Sequence, residues 1–205
     1  MAISADPLNL IICGVGGQGN ILMSGLVGSA LTKKGFHVGV GETFGAAQRG
    51  GAVFSSVRIS PTKDYGPLIP EGKAHFILGL EPLETMRLLR KYGNPETMCI
   101  ANTYPVPPVG VLSKKDEYPD HEELKQAIRS LCKSVWFVDG TGVALKLGAA
   151  IATNIVMVGA LIGSEQLPLT KKEIEDQMWE TFPSNRMELN LQALEMGFNA
   201  IRSQN

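Results

Sequence analysis

Cysteine is scarce in this chain of 205 residues. The three cysteines, Cys13, Cys99 and Cys132, lie far apart, and no two of them have the CxxC spacing. An iron–sulfur cluster is usually bound by four closely spaced cysteines, so this chain alone is not expected to hold one. An odd number of isolated cysteines in apolar runs predicts reduced thiols in the core of a cytoplasmic protein.

An excess of either charge is also lacking, because 19 Lys and Arg residues face 20 Asp and Glu residues. This balance excludes the basic surface that binds nucleic acid or an anionic membrane. The most apolar stretch, residues 151–162, is too short to span a bilayer. The first apolar run has no Lys or Arg before it, which is a poor match to a signal peptide. These absences predict a soluble cytoplasmic protein without membrane or nucleic-acid partners.

Histidine is rare as well, and none of the three has metal-ligand spacing to a cysteine or carboxylate. His75 lies in an apolar run, which is typical of a structural histidine near the core. Asp139 follows a strand-like run and is expected to cap the next helix. The sequence therefore predicts neither a catalytic residue nor a metal site in this chain.

What the sequence does contain is an alternation of short apolar runs and helical patterns. Strands are predicted at residues 8–13, 36–40, 52–59, 74–80, 97–101 and 135–138. Helices are predicted at residues 20–34, 82–92, 121–132, 141–147, 151–162, 171–181 and 184–201. Residues 52–59 alternate in polarity, which favours an antiparallel strand at the sheet edge. We therefore predict one α/β domain over residues 1–205, with a doubly wound, mostly parallel, Rossmann-like sheet, an antiparallel edge element and a helical C-terminal extension.

The first glycine-rich segment, GVGGQG at residues 14–19, matches the GxGxxG pattern between a strand and a helix. Such a turn brings backbone N–H groups close to a phosphate at the positive end of the helix. Glu42 follows Gly19 by 23 residues, where a dinucleotide fold places its ribose-binding acid. On the residues alone, an NAD site and a ligand-free βα turn both remain open.

A second glycine-rich segment, QRGG at residues 48–51, contains Arg49. An arginine beside two glycines could bind a phosphate or carboxylate through two hydrogen bonds. The alternative is a solvated loop arginine beside a turn.

Several segments together resemble the gamma subunit or domain of the pyruvate/2-oxoacid:ferredoxin oxidoreductase family. The resemblance covers residues 9–201. The segments that carry it are GVGGQG at 14–19, ETFGAAQRGGAVFSSVRIS at 42–60, PLIPEG at 67–72, LGLEPLE at 79–84, NTYPVPP at 102–108, VDGT at 138–141, Asn154, and ELNLQALEMGF at 188–198. Among them, LIPEG, LEPLE and NTYPVPP resemble the beta subunit of indolepyruvate oxidoreductase more than the pyruvate enzymes.

The resemblance implies a subunit that is inactive alone and assembles with a subunit bearing thiamine diphosphate and iron–sulfur clusters. In that family the thiamine attacks the 2-oxo carbon and carbon dioxide leaves. The electrons pass through the clusters to ferredoxin, and coenzyme A captures the acyl group. This chain would help to bind coenzyme A, and a homodimer is compatible with the same features.

The resemblance also assigns candidate coenzyme A contacts, in part shared with the partner. They are Gly14, Gly16, Gly17, Gln18, Gly19, Thr43, Gln48, Arg49 and Asn154. In the second loop, pyruvate enzymes tend to have lysines where this chain has Gln48 and Arg49. Glu42 becomes part of the ETFG turn in this interpretation, instead of a ribose ligand. Two alternatives stay open: a free-standing NAD-dependent oxidoreductase, and an interaction module without a small-molecule ligand.

Overall fold

The computed structural model describes residues 3–42, 51–107, 109–114 and 117–204. Within these ranges six strands form one sheet. They are β1 (Leu8–Val15), β2 (His37–Glu42), β3 (Ala52–Ser60), β4 (Phe76–Gly79), β5 (Met98–Asn102) and β6 (Ser134–Val138). The helices are α1 (Asn20–Lys33), α2 (Pro82–Tyr92), α3 (Val109–Leu112), α4 (His121–Ser130), α5 (Gly140–Lys146), α6 (Thr153–Gly163), α7 (Lys171–Thr181) and α8 (Ser184–Arg202). A 3-10 turn at Ala150–Ala152 precedes α6.

The sheet has the strand order β2-β3-β1-β4-β5-β6. Strands β1, β4, β5 and β6 are parallel, and β3 is antiparallel to both β1 and β2. The antiparallel strand was thus predicted correctly, but its position at the edge was wrong, because β2 is the outer strand. The polar alternation arises because the Ser55 and Ser56 side chains make internal hydrogen bonds, and it does not mark a solvent-exposed edge.

Helices cover both faces of the sheet, which confirms the doubly wound α/β prediction. Leu10 and Ile12 of β1 face one core, where α1, α6, α7 and α8 pack. Ile11 and Cys13 face the other core, which α2 and α4 cover. Every residue of β1 is buried, because a strand packed on both faces has no solvent-facing side. The carboxyl end of β1 therefore lies at the middle of the sheet, between two layers of helices.

The C-terminal helices form part of the core instead of extending away from it. Helix α6 is buried over nearly its whole length and packs against α8. The two backbones approach so closely that only glycine fits at the contact. An added Cβ atom at Gly159 would lie 2.1 Å from the Leu194 carbonyl oxygen, and one at Gly197 would lie 1.8 Å from the Val156 carbonyl oxygen. Thr170 and Glu173 have the sequence spacing of a capping box, and this box is present at the start of α7. These helices thus complete one layer of the fold.

The three cysteines form no disulfide with one another. Cys13 and Cys99 are buried, and burial raises the pKa of both thiols well above the ordinary value. In the part of the chain that the structure describes, no helix combines the length and the apolar character needed to cross a membrane.

Candidate functional site

The chain passes from β1 to α1 through a glycine turn at the carboxyl end of the sheet. Gly17 has φ +102° and Gly19 has φ +91°. Both values lie in the left-handed region, where a residue with a Cβ atom is strained. Gly19 occupies the N-cap position of α1 and provides no side-chain cap. The glycines therefore allow a sharp corner whose backbone is not covered by side chains of its own.

Gln18 holds this turn in place from within. Its Oε1 accepts a hydrogen bond from the Val15 backbone N–H at 2.7 Å, and its Nε2 donates to the Leu80 carbonyl oxygen at 3.3 Å. A Cβ atom at Gly14 would lie 2.4 Å from Gln18 Oε1, so glycine is needed there for the side chain to fold back. Gln18 and Gly14 thus fix the shape of the turn.

The start of α1 leaves backbone donors without partners. No described residue accepts a hydrogen bond from four backbone N–H groups at this corner, those of Gly17, Gly19, Asn20 and Ile21. The first turn of a helix carries a partial positive charge, so such groups bind anions well. This corner is therefore suited to a phosphate or carboxylate.

These four residues line a cleft of about 290 Å³. Its other walls come from the ends of β2 and β3, with Gly16 of the turn. The lining residues are Gly16, Gly17, Gly19, Asn20, Ile21, Glu42, Val53, Phe54 and Ser55. The Gly16 backbone N–H donates to the Gly51 carbonyl oxygen at 2.8 Å and so ties the turn to the start of β3. The volume is at the lower end of the range for small-molecule sites, about 300–1,000 Å³.

Asn20 is a buried polar residue in the wall of this cleft, with 5% of its surface exposed. Its Nδ2 donates to the Val53 and Ile12 carbonyl oxygens at 3.2 and 3.5 Å. Its Oδ1 accepts no hydrogen bond from any described residue. A buried acceptor without a donor is rare in folded proteins, and a bound water or ligand commonly explains it. Sequence reasoning did not identify Asn20, because a first-turn asparagine after Gly19 looks like an ordinary helix start.

Glu42 ends β2 and brings a carboxylate into the same cleft. The Ser24 hydroxyl of α1 donates to Oε1, and the Ser55 hydroxyl of β3 donates to Oε2, each at 2.5 Å. Glu42 lines the cleft beside the glycine turn, and its interpretation as part of the ETFG turn instead of a ribose ligand stays a prediction. The sequence signal for Glu42 as a candidate site residue was its spacing of 23 residues from Gly19. The two serines that orient it had no signal in the sequence.

Asn154 touches the turn from the opposite side. Its Nδ2 lies 2.4 Å from the position of a Cβ atom at Gly19, and its Oδ1 accepts from the Ile155 backbone N–H at 2.8 Å. It lines a separate cleft between α6 and α8. The structure thus brings Asn154 against the glycine turn but not into the cleft that contains Glu42.

Three predicted contacts, Thr43, Gln48 and Arg49, lie outside the described residues.

Two other sequence interpretations, which concern Asp139 and His75, are confirmed. The Asp139 side chain caps α5 by accepting from the Gly142 backbone N–H at 2.9 Å. The Asn9 backbone N–H donates a hydrogen bond to His75 Nδ1 at 2.9 Å, and burial lowers the pKa of His75. No group of three or more His, Cys, Asp or Glu residues within the described ranges could hold a metal ion.

A buried carboxyl group, that of Glu81, lies just after the end of β4. Glu81 is fully buried and caps α2 by accepting from the Glu84 backbone N–H at 2.8 Å. The Tyr118 hydroxyl donates to its other oxygen at 2.5 Å. Burial raises the pKa of Glu81. Because Glu81 does not line the cleft, its contacts indicate a structural role in holding the segment before α4 against α2.

A family model described as pyruvate ferredoxin/flavodoxin oxidoreductase matches residues 9–200. The chain belongs to this family. It is 39% identical over 192 residues to the indolepyruvate oxidoreductase subunit IorB of Archaeoglobus fulgidus, with 94% of each chain covered. It is 36% identical to the IorB subunit of Methanothermobacter thermautotrophicus, covering 94% of this chain and 96% of the other. The chain is therefore a subunit of an oxidoreductase of this family, similar to IorB.

Two solved structures of oxoacid oxidoreductases share the fold. The chain superposes on a pyruvate oxidoreductase subunit of Thermotoga maritima with a TM-score of 0.67 and 19% identity, over 95% of this chain and 97% of the other. It superposes with a TM-score of 0.76 and 20% identity on the 2-oxoglutarate:ferredoxin oxidoreductase of Magnetococcus marinus, which was solved with 2-oxoglutarate, coenzyme A and succinyl-CoA bound. That match covers 98% of this chain and 32% of the longer one. A domain of this fold thus occurs both as a separate subunit and as part of a larger chain.

Proposed function

We propose that this chain is the subunit of an indolepyruvate (aryl-pyruvate):ferredoxin oxidoreductase that carries neither thiamine diphosphate nor iron–sulfur clusters and that contributes to binding coenzyme A. The observation that carries the proposal is the cleft at the start of α1, with its unpartnered backbone N–H groups and the unpartnered Asn20 Oδ1. A cytoplasmic location, and electron transfer to ferredoxin through the partner, follow from the same proposal.

In this proposal, the glycine turn holds the pyrophosphate of coenzyme A. The backbone N–H groups of Gly17, Gly19 and Ile21 would donate to its oxygens, and the helix dipole of α1 would favour the negative charge. Gln18 keeps the corner open for this approach by holding Val15 and Leu80 in place. Asn20 Oδ1, which is buried beneath the turn, would accept a hydrogen bond from an ordered water.

Thiamine diphosphate on the partner subunit would supply the decarboxylation of the 2-oxoacid. The contribution of this chain is to bind and orient the acyl acceptor, with no proton transfer assigned to its side chains. The IorB relatives are subunits of indolepyruvate oxidoreductases, which supports the aryl-pyruvate assignment. The coenzyme A bound in the Magnetococcus marinus relative supports the choice of ligand.

The first experiment tests whether the chain is a subunit that needs a partner or an enzyme that is active alone. The chain is purified alone and after co-expression with its thiamine-bearing partner, and indolepyruvate-dependent reduction of ferredoxin is measured. We expect no turnover by the chain alone and turnover by the complex. Oxoacid oxidation by the isolated chain would contradict the proposal.

The second experiment tests coenzyme A binding at the turn in the assembled complex. We expect Gly17→Ala to weaken coenzyme A binding about tenfold, or about 1.4 kcal/mol, because its φ is unfavourable for alanine. Gly25→Ala on the exposed face of α1 is the matched control, since a Cβ atom there meets nothing within 4 Å. Arg49→Ala is expected to raise the KM for coenzyme A, with exposed Arg90→Ala as its control. Unchanged affinity in both test variants would favour an interaction module, and micromolar NADH binding lost in Gly16→Val would favour the NAD alternative.

A further inference from the structure

The Glu42 carboxylate is an oriented acceptor inside the cleft. Ser24 and Ser55, from two different elements, each donate to one of its oxygens, and both serines are fully buried. An ionised carboxylate has about four acceptor positions on its two oxygens, so the two hydroxyls leave about half of them free. Glu42 can therefore accept further hydrogen bonds from a ligand without turning.

The charge of Glu42 is not balanced by a nearby described cation. Among the residues that the structure describes, no Lys, Arg or His forms an ion pair with it within 4.0 Å. As formed by the described residues, the cleft has two unlike ends: the N–H donors of the α1 start, which favour an anion, and the Glu42 carboxylate, which repels one. A ligand that fits both ends carries its negative charge at the turn and an uncharged N–H or O–H group at Glu42.

The remaining walls are largely apolar, with Ile21 half-exposed at the rim and Val53 buried beside Ser55. An uncharged group that reaches Glu42 therefore needs apolar surface next to its hydrogen-bond donor. The described walls therefore match a ligand segment that combines apolar surface with an uncharged hydrogen-bond donor.

Coenzyme A offers two segments beside its pyrophosphate. The adenosine side carries a further phosphate on the ribose, which Glu42 would repel. The pantetheine side begins with two methyl groups and a hydroxyl and continues with amide N–H groups, all uncharged. The cleft, with N–H donors at the turn, apolar walls and the Glu42 acceptor, therefore matches the pyrophosphate followed by the pantetheine side.

We propose that Glu42, positioned by Ser24 and Ser55, is a specificity-determining residue that binds the hydroxyl or amide N–H groups of the pantetheine arm. This inference rests on the proposed coenzyme A binding and assigns the direction in which the ligand lies. The arm extends from the glycine turn towards the end of β2, and the adenosine lies on the other side of the turn.

The test uses the assembled complex and three ligands: coenzyme A, 4′-phosphopantetheine and adenosine 3′,5′-bisphosphate. We expect Glu42→Gln to weaken the binding of coenzyme A and the binding of 4′-phosphopantetheine by the same factor, about tenfold, because one charged hydrogen-bond acceptor is lost. Binding of adenosine 3′,5′-bisphosphate should stay unchanged. Ser55→Ala should show a smaller loss with the same ligand pattern, since it frees the carboxylate to turn. Exposed Glu188→Gln serves as the matched control.

The outcomes separate this inference from the proposed function. If wild-type complex binds none of the three ligands, the proposed function itself fails. If it binds coenzyme A and Gly17→Ala weakens that binding, but Glu42→Gln changes nothing or weakens only the bisphosphate, the proposed function stands and the assignment of Glu42 is overturned. A uniform loss for all three ligands would also overturn it, because it would indicate a structural role in shaping the cleft.

Discussion

Single side chains determine the shape of the glycine turn, and Gln18 is the clearest example. Its amide group spans the Val15 N–H and the Leu80 carbonyl, so it joins the end of β1 to the residue after β4. The GxGxxG pattern and the family resemblance predict that Gln18 faces the ligand. The structure assigns its side chain to the turn itself.

Replacing Gln18 should therefore lower stability. We expect Gln18→Ala to reduce the free energy of unfolding by about 1–3 kcal/mol, because two partly buried backbone groups lose their partner. Gln18→Glu should recover part of the loss, since a carboxylate accepts from Val15 N–H but cannot donate to Leu80. Chemical denaturation of the three proteins measures this order, and equal stability of all three would contradict it.

Glu81 provides a pH dependence at the scale of one residue. Burial raises its pKa above the ordinary value of 4.5, so the folded protein binds this proton more tightly than the unfolded chain. The stabilisation is complete below pH 4.5 and is lost as the pH rises through the raised value. We expect Glu81→Gln to gain stability relative to wild type as the pH rises through that window. Denaturation midpoints measured from pH 4 upward test this, and a constant difference between the two proteins would contradict it.

At the scale of elements, the contact between α6 and α8 depends on the absence of side chains. Gly159 and Gly197 allow one backbone to touch the other, and an added Cβ atom would overlap a carbonyl oxygen. This explains why α6 is apolar on nearly every side: it lies between the sheet and α8, with little surface left for solvent.

We therefore expect Gly197→Ala to destabilise the chain by about 1–3 kcal/mol, because the helices must separate to fit the methyl group. Gly25→Ala should be neutral or stabilise by up to about 1 kcal/mol, since alanine favours a helix and its Cβ meets nothing. Thermal unfolding of both variants compares the two effects. Similar changes in the two proteins would show that close packing is not the cause.

At the scale of the whole molecule, the central position of β1 explains where the cleft lies. Its carboxyl end meets α1 from one layer and the ends of β2 and β3 from the side, so one corner collects groups that are distant in sequence. Ligands of open α/β sheets bind outside the carboxyl ends of the strands for this reason.

This arrangement predicts which parts of the molecule respond to the ligand. In the assembled complex, coenzyme A should slow amide hydrogen exchange in peptides covering residues 14–24 and 51–56. Peptides covering residues 171–181 should be unchanged, because α7 does not line the cleft. Hydrogen exchange followed by mass spectrometry gives this map. Protection confined to regions away from the turn would contradict the proposed site.

The sequence by itself determined the succession of the six strands and of most helices along the chain, the glycine turn, the caps at Asp139 and Thr170, and the family. These features depend on local patterns: periodicity, the φ values that only glycine tolerates, and side chains that reach no further than one helical turn. The tertiary structure alone decided that β3 lies inside the sheet and that Gln18 faces inward. It also decided that Glu42, Ser55 and Asn20 line one cleft and that Ser24 donates a hydrogen bond to Glu42. The physical reason is that strand order and side-chain partners depend on packing between residues far apart in the chain, which no local pattern records.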